Sequence, residues 1–271
     1  MSFNKKKLFR WIKIIILLYS GIGLLIYFFQ EKLLFHPVSL NKDYQYHFST
    51  PFKEVNIQYD SNIVFNMIRF SPEDTQAKKG VVLYFHGNRE NINRYAPYAT
   101  NFTKHGYEVW MPDYPTFGKS TGELSEKMLQ EVSLEVYKMA QSKFSKQQIV
   151  IYGKSLGTGI AAYLSTRKNC QQLILETPYS SITALFNRYC FIYPVSRMIK
   201  YKIPTVDYIK NTIAPITIFQ ASNDWVIPNS NTRKLKKVLK PTDTFITINK
   251  ASHNNINDFQ EYHLALDKLL Q

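Results

Sequence analysis

From residue 80 onward, short apolar runs alternate with longer amphipathic stretches, and this alternation constrains the fold more than any other feature. The apolar runs are 81–85, 107–111, 148–152, 173–176, 216–220 and 245–248. The stretches with helical spacing are 92–105, 126–144, 156–167, 231–239 and 258–270. Strands that alternate with helices form a mostly parallel sheet covered on both faces. Upstream, two strand-like segments at 54–59 and 63–70 predict an antiparallel hairpin.

A Gly-x-Ser-x-Gly sequence at 153–157 lies where the run at 148–152 meets the helical stretch. Gly153 and Gly157 permit a turn too tight for side chains, which forces Ser155 into a strained conformation and exposes its hydroxyl at the sheet edge. The serine also precedes a helix, whose first N–H groups favour developing negative charge. Ser155 is therefore the predicted nucleophile of a serine hydrolase.

Two nucleotide-binding patterns are excluded by their spacing. Residues 118–120 and 153–155 both read Gly-Lys-Ser, but Asp113 and Gln148 stand where a phosphate-binding loop needs an earlier glycine. Residues 157–162 match a dinucleotide pattern, yet its first glycine falls inside the expected helix and not in the turn after the strand.

A serine hydroxyl needs a base, and in this kind of fold the acid and the base follow the nucleophile along the chain. His253 comes directly after the last apolar run, whereas His263 falls within the last helix. Asp224 follows the run at 216–220, where it could hold the imidazole in the required tautomer. Ser155, Asp224 and His253 therefore form the predicted triad. Three other acids lie away from that edge and are weaker candidates: Asp207, Asp243 and Asp258.

The oxyanion hole is expected to combine two backbone N–H groups. One belongs to Leu156, directly after the nucleophile, and the other to the loop that follows the run at 81–85. That loop reads His86-Gly87-Asn88. Because Gly87 permits a close backbone approach, Asn88 is the predicted second donor, and His86 is expected to support the loop.

Residues 14–29 form an uncharged apolar run that extends back across one lysine to Trp11. At about 1.5 Å per residue, the extended run spans about 28 Å, close to the hydrocarbon thickness of a bilayer. The preceding basic residues favour a cytoplasmic N-terminus, with the rest of the chain on the other side of the membrane. A cleaved signal peptide is the alternative, but the run continues past Gly23 and no clean small-residue cleavage site follows.

These patterns divide the chain into a basic tail and transmembrane anchor at 1–32, a linker at 33–52 and a catalytic domain at 53–271. Aromatic residues without a strand pattern predict a short cap at about 178–214, although they could simply pack a helix against the sheet. Cys170 and Cys190 are too few for a disulfide scaffold or a zinc site, and their pairing stays open.

The formal net charge is +14. The basic residues are scattered, and no nucleic-acid motif accompanies them, so nucleic acid is not an expected partner. A solvated basic surface and attraction to a membrane surface both explain the charge.

Together, the motifs resemble the membrane-anchored α/β-hydrolases of the Bem46-like group, which is related to mammalian α/β-hydrolase-domain lipid thioesterases. The motifs that carry the resemblance occur in order at 86–88, 113–120, 153–157, 176–179, 224–228 and 252–254, and it covers nearly the whole chain. It implies the α/β-hydrolase fold and hydrolysis of esters, thioesters or lipids without a cofactor. One departure is Pro115-Thr116, where the family usually has Arg-Gly; it alters the expected turn but removes no catalytic group.

We therefore expect a serine hydrolase that cleaves ester or thioester bonds of lipophilic acyl substrates at a membrane, with no metal. A serine aminopeptidase-like peptidase is one alternative, but it should need an acidic anchor, and the predicted cap offers only Asp207. A noncatalytic membrane-anchored binding protein is another, although such a protein would normally have lost a triad member. The natural substrate and the oligomeric state stay open.

Overall fold

The computed structural model describes residues 5–72 and 78–271. Within them, eight strands form one sheet in the order β10-β9-β8-β7-β4-β6-β3-β2, and β1 and β5 form a small separate pair. The strands are β1 (His36–Pro37), β2 (Phe52–Gln58), β3 (Val64–Phe70), β4 (Gly80–Phe85), β5 (Arg89–Glu90), β6 (Tyr107–Pro112), β7 (Ile149–Lys154), β8 (Gln172–Glu176), β9 (Ile216–Ala221) and β10 (Thr244–Ile248).

The sheet is parallel from β10 to β6, and β3 pairs antiparallel with both β6 and β2. The hairpin and the mostly parallel sheet predicted from the sequence are confirmed. Alternate residues of β4 enter two different apolar cores: Val81 and Leu83 enter one, and Val82 and Tyr84 enter the other. Since successive side chains of a strand point to opposite faces, the two cores lie on the two sides of the sheet.

Helices cover both cores. The helices are α1 (Lys5–Leu34), α2 (Ile92–Tyr95), α3 (Thr100–Thr103), α4 (Glu126–Gln141), α5 (Leu156–Arg167), α6 (Ile182–Tyr189), α7 (Val195–Met198), α8 (Thr205–Lys210), α9 (Asn229–Lys236) and α10 (Gln260–Leu270). Residues of α4 and α5 pack into the first core, and residues of α3 and α10 pack into the second. This arrangement confirms the predicted fold class.

One predicted helix is wrong as a continuous element. The stretch at 92–105 consists of α2, a 3₁₀ turn at Ala96–Ala99 and α3. Pro97 lies in the 3₁₀ turn, and a proline lacks the N–H that a continuing α-helix would need there. The predicted cap region contains α6, α7 and α8, and the structure shows no strand between 178 and 214.

Helix α1 has 30 residues and is therefore about 45 Å long. Its length and composition suffice to cross a membrane, and only 6% of its most apolar window is buried, unlike a core helix of a soluble protein. This supports the predicted single-pass anchor.

The segment predicted as a linker is not a free tether. Phe35 and Tyr46 are buried in the two cores, and β1 pairs in parallel with β5. The end of the anchor is thereby attached to the loop that follows β4.

Candidate active site

Ser155 is the single residue between β7 and α5, and its backbone has φ 51° and ψ −116°. This left-handed conformation is costly for any residue other than glycine, and it turns the hydroxyl out of the sheet edge. The two flanking glycines make the turn possible. A Cβ at Gly153 would collide with the backbone of Gly157, and a Cβ at Gly157 would collide with the backbone oxygen of Phe85.

The side chains of Ser155, His253 and Asp224 form a continuous hydrogen-bonded chain. His253 Nε2 lies 2.8 Å from Ser155 Oγ, and His253 Nδ1 lies 2.7 Å from Asp224 Oδ2. These residues follow β7, β10 and β9, whose carboxyl ends meet at one edge of the parallel sheet. The arrangement can transfer a proton from the serine to the imidazole and stabilise the resulting imidazolium.

The Asp224 carboxylate is held on both of its oxygens. Oδ1 accepts hydrogen bonds from the backbone N–H groups of Val226 (2.9 Å) and Ile227 (2.7 Å), while Oδ2 faces His253. The side chain of Asp224 is only 3% exposed, so these bonds replace its lost hydration.

The loop after β4 approaches Ser155 closely. A Cβ built at Gly87 would lie 3.6 Å from Ser155 Cβ, and Asn88, Ser155 and Leu156 line the same cavity. Among the residues that the structure describes, neither the Asn88 nor the Leu156 backbone N–H donates a hydrogen bond within the protein. Both amides are therefore available to an oxyanion, as an oxyanion hole requires.

His86 holds this loop through buried contacts. Its Nε2 lies 3.1 Å from Asp113 Oδ1, and the ring stacks on Tyr95 with centroids 4.9 Å apart. Burial raises the pKa of Asp113, although the hydrogen bond from His86 opposes the rise. The pair is completely buried. A supporting role for His86 stays a prediction.

The end of α1 is hydrogen-bonded to Asn88 beside Ser155. The Asn88 side-chain amide donates to the Leu34 carbonyl oxygen at 2.7 Å, and the His36 N–H donates to the Asn88 carbonyl oxygen at 2.9 Å. Asn88 thus connects α1 to the loop that follows β4. No spacing rule in the sequence indicated this contact.

A buried network supports the turn at Ser155, and the sequence analysis did not predict it. Lys154 ends β7, Glu176 ends β8, and the two residues are register partners joined by an ion pair. Glu176 also accepts hydrogen bonds from Tyr152 and Tyr262, and burial raises the pKa of both phenols so that they stay neutral donors. The Glu176 carbonyl oxygen accepts the Ser155 N–H at 2.9 Å. A lysine and a glutamate at the ends of neighbouring strands are the signal that could have revealed the pair.

Two cavities meet at Ser155. The first measures about 300 Å³ and is mostly apolar; its walls include Leu34, Ile182, Leu185, Phe186 and Ile227. The second measures about 200 Å³ and is more polar; its walls include His36, Arg89, Arg94, Lys154 and His253, although Arg94 pairs with Glu90 and Lys154 with Glu176. The site can therefore hold an apolar group on one side of the serine and a polar group on the other.

The weaker candidates have other contacts. His263 Nε2 bonds the Asn257 carbonyl oxygen at 2.7 Å, and Asp243 accepts N–H groups from Ile216 and Lys240. Asp207 is 60% exposed and pairs with a neighbouring lysine on α8. Asp258 ends the short 3₁₀ turn before α10.

Both cysteines are free thiols. Cys190 lines the apolar cavity, and burial raises the pKa of Cys170 to about 12. Over the described ranges, no cluster of histidine, cysteine and carboxylate side chains could hold a metal ion.

Comparison with known proteins finds a family model that matches part of the chain and several relatives. Residues 76–206 match a protein family described as serine aminopeptidase, S33. The chain is 29% identical over 197 residues to the lysophosphatidylserine lipase ABHD12 of Macaca fascicularis, covering 64% of this chain and 49% of that protein. It is also 29% identical over 165 residues to the protein bem46 of Schizosaccharomyces pombe, covering 56% and 54%. The chain thus spans about half the length of the curated relatives it matches.

Solved structures agree with the fold. An esterase from Pyrococcus furiosus superposes with a TM-score of 0.67 at 16% identity, covering 88% of this chain and 96% of that one. The Butyrivibrio proteoclasticus protein Est1E, solved with bound ferulic acid, superposes with a TM-score of 0.65 at 15% identity, covering 80% and 97%. The predicted α/β-hydrolase fold and the resemblance to Bem46-like proteins are confirmed.

Proposed function

We propose that this chain, which has the α/β-hydrolase fold and is similar to the ABHD12 and bem46 proteins, is a membrane-anchored serine hydrolase of carboxylic ester or thioester bonds. One observation carries the proposal: a hydrogen-bonded Ser155–His253–Asp224 chain opens directly into an apolar cavity. Such a chain is the constellation that activates a serine hydroxyl for acyl transfer.

In the proposed mechanism, Ser155 Oγ attacks the substrate carbonyl carbon while His253 Nε2 takes the hydroxyl proton. The Asn88 and Leu156 amides hold the oxyanion of the tetrahedral intermediate. His253 then gives its proton to the leaving alcohol or thiol, and an acyl-serine remains. A water molecule attacks this acyl group, its proton passes to His253 and then to Ser155 Oγ, and the carboxylic acid leaves.

The two cavities suggest how a substrate lies across the site. The apolar cavity suits an acyl chain, because its walls are aliphatic and aromatic. Arg89, Arg94 and Lys154 line the other cavity, where Arg94 pairs with Glu90 and Lys154 pairs with Glu176. A polar leaving group would be favoured there. A relative named as a lysophosphatidylserine lipase is consistent with this class of substrate.

The description of the matching family makes a serine aminopeptidase the second candidate. An aminopeptidase must bind a cationic amine close to the scissile bond, which calls for a carboxylate in the pocket. Neither cavity at Ser155 has a carboxylate among its described lining residues. Ester or thioester hydrolysis is therefore favoured over peptide hydrolysis.

The basic residues before the apolar part of α1 favour a cytoplasmic N-terminus. We accordingly place the hydrolase domain on the non-cytoplasmic side. A reporter fused after Gln271 should read non-cytoplasmic, and a cytoplasmic signal would reverse this orientation.

The activity is tested with the full chain in detergent against p-nitrophenyl esters, acyl thioesters and aminoacyl amides. We expect hydrolysis of the esters or thioesters, and its loss in Ser155→Ala. The matched control is Ser142→Ala, at the end of α4, where the hydroxyl only bonds the Met139 carbonyl oxygen. Undiminished turnover in Ser155→Ala, or a preference for aminoacyl amides, would contradict the proposal.

A further inference from the structure

One face of the anchor helix packs on the cap. Tyr19, Gly23, Ile26 and Gln30 form this stripe, with the spacing of four, three and four residues that aligns side chains on one side of a helix. All four contact the cap segment between 186 and 200. A Cβ at Gly23 would approach the ring of Tyr193 to 3.0 Å, so the packing there is close.

The two ends of the stripe differ in polarity. At the end nearer the hydrolase domain, Gln30 is 1% exposed; its Nε2 donates to the Met198 carbonyl oxygen at 3.2 Å, and its Oε1 accepts the Lys200 N–H at 2.7 Å. The adjacent Glu31 lies 3.6 Å from Lys200 Nζ. Charged side chains of α1 and of the cap thus lie together at the level of residues 30–32, as is typical of a membrane surface.

At the other end, Tyr19 meets the tip of the cap. Its ring stacks on that of Tyr193 with centroids 4.6 Å apart, and its hydroxyl donates to the Ile192 carbonyl oxygen at 3.0 Å. Eleven residues separate Tyr19 from Gln30, which corresponds to about 16 Å along the helix axis. The cap tip therefore extends well beyond the polar level, alongside the apolar part of α1.

Over this same length, the outer face of α1 is apolar and exposed. Leu24, Leu25 and Phe28 all lie between the two ends of the stripe and point away from the cap. Such a face requires hydrocarbon around it. The hydrocarbon layer that covers α1 must then also surround whatever packs on its opposite side at that depth.

The cap tip has a surface that suits hydrocarbon. Tyr189 is 62% exposed, Phe191 75% and Ile192 59%, and these three residues lie just before Tyr193 along the chain. Contiguous exposed apolar residues of this kind mark an interaction surface, and continuity with a membrane-spanning helix identifies the bilayer interior as its partner.

We propose that cap residues 189–193 are embedded in the hydrocarbon layer beside α1, so that the apolar cavity at Ser155 opens laterally into the membrane. The residues at the rim of the cavity support this opening. Leu33 from α1 and Tyr189 from the cap line it, and Val226 stands next to the strongly exposed Trp225. A lipid acyl chain then enters without crossing water, a step that rests on the proposed function, whereas the embedding does not.

Two arginines flank the tip. Arg188 lies near the end of α6 and Arg197 lies in α7, and both are exposed. Their long aliphatic stems permit the guanidinium groups to reach the headgroup phosphates while the apolar tip stays immersed.

Spin-label accessibility tests the embedding directly. A nitroxide is placed at Phe191→Cys in a Cys170→Ser, Cys190→Ser background, and the full chain is reconstituted in phosphatidylcholine and phosphatidylglycerol vesicles. Labels at Leu17→Cys on α1 (71% exposed) and at Ile213→Cys before β9 (84% exposed) serve as the membrane and aqueous controls. We expect the Phe191 label to be more accessible to oxygen than to nickel-EDDA, as a label at Leu17 should be. Accessibility like that of the Ile213 label would overturn the embedding.

Lateral entry is tested by hydrolysis. Phe191 does not line the cavity, so Phe191→Asp should change hydrolysis of a soluble short-chain ester by less than about twofold. Because a charged side chain is costly to place in hydrocarbon, hydrolysis of a long-chain ester held in vesicles should fall by about tenfold or more, with Ile213→Asp as the control. Undiminished hydrolysis of the vesicle-held ester would overturn lateral entry. If the wild-type chain hydrolyses neither ester, the proposed function fails, while the spin-label result decides the embedding independently.

Discussion

Asp224→Asn isolates the contribution of one carboxylate to the reaction. Because Asp224 Oδ1 accepts two backbone N–H groups, from Val226 and Ile227, asparagine must keep its carbonyl oxygen there. Its NH₂ group then faces His253 Nδ1 in place of Oδ2. The ring nitrogen has to accept that hydrogen bond, so the imidazole proton moves to Nε2. That is the atom that should accept the Ser155 proton, and the base is held in the wrong tautomer.

The expected loss is about 10³–10⁴-fold in kcat, by analogy with the same substitution in a serine protease triad. This corresponds to about 4–5.5 kcal/mol of transition-state stabilisation. KM should change little, because Asp224 does not line the apolar cavity. The assay is steady-state hydrolysis of a soluble p-nitrophenyl ester, with circular dichroism to verify folding.

Asp207→Asn, at an exposed acid of α8, is the matched control and should retain activity within about twofold. A folded Asp224→Asn protein that loses less than tenfold in kcat would refute the tautomer argument. In that case the hydrogen bond between Asp224 and His253 would have only a structural role.

Three further outcomes are expected. N-ethylmaleimide should inhibit hydrolysis by reacting with Cys190 in the cavity wall, and Cys190→Ser should prevent the inhibition; Cys170 should not react, since burial raises its pKa to about 12 and leaves almost no thiolate. Thr116→Gly should raise the free energy of unfolding by about 1 kcal/mol in thermal melts, because Thr116 is β-branched with φ 73°. Glu108→Gln should lower that free energy by about 1–2 kcal/mol at pH 7, and in melts the difference should shrink as the pH falls below 4.5 and vanish below the lower pKa that Glu108 has in the folded chain. Burial alone would raise the pKa of Glu108, but hydrogen bonds from Trp110, Lys78 and Arg69 outweigh it and lower the pKa. Glu108 therefore stabilises the fold only while its carboxylate is ionised.

The residues that the sequence indicated most clearly are those whose positions depend on local order along the chain. Ser155, Asp224 and His253 each follow a strand of the parallel part of the sheet, and parallel strands bring their carboxyl ends to one edge. Once the strands are recognised, the meeting of the three side chains needs no knowledge of distant contacts.

The features that the sequence did not indicate depend on contacts between distant segments. Leu33 and Leu34 look like the end of a membrane helix, and only packing reveals that they line the cavity. The pairing of Lys154 with Glu176 depends on the register of β7 and β8, which hydrophobic patterns do not determine for strands buried on both faces. Thr116 shows the same limit: the turn keeps a left-handed residue even though the family's usual glycine is absent.

The most direct test of the account is the site at which a fluorophosphonate reacts. The purified full-length chain is treated with the probe, digested and analysed by mass spectrometry. We predict a single adduct on the peptide that carries Ser155, absent in Ser155→Ala and much slower to form in Asp224→Asn. An unmodified Ser155 in a folded chain, or an adduct that persists in Ser155→Ala, would contradict the assignment of this serine as the nucleophile.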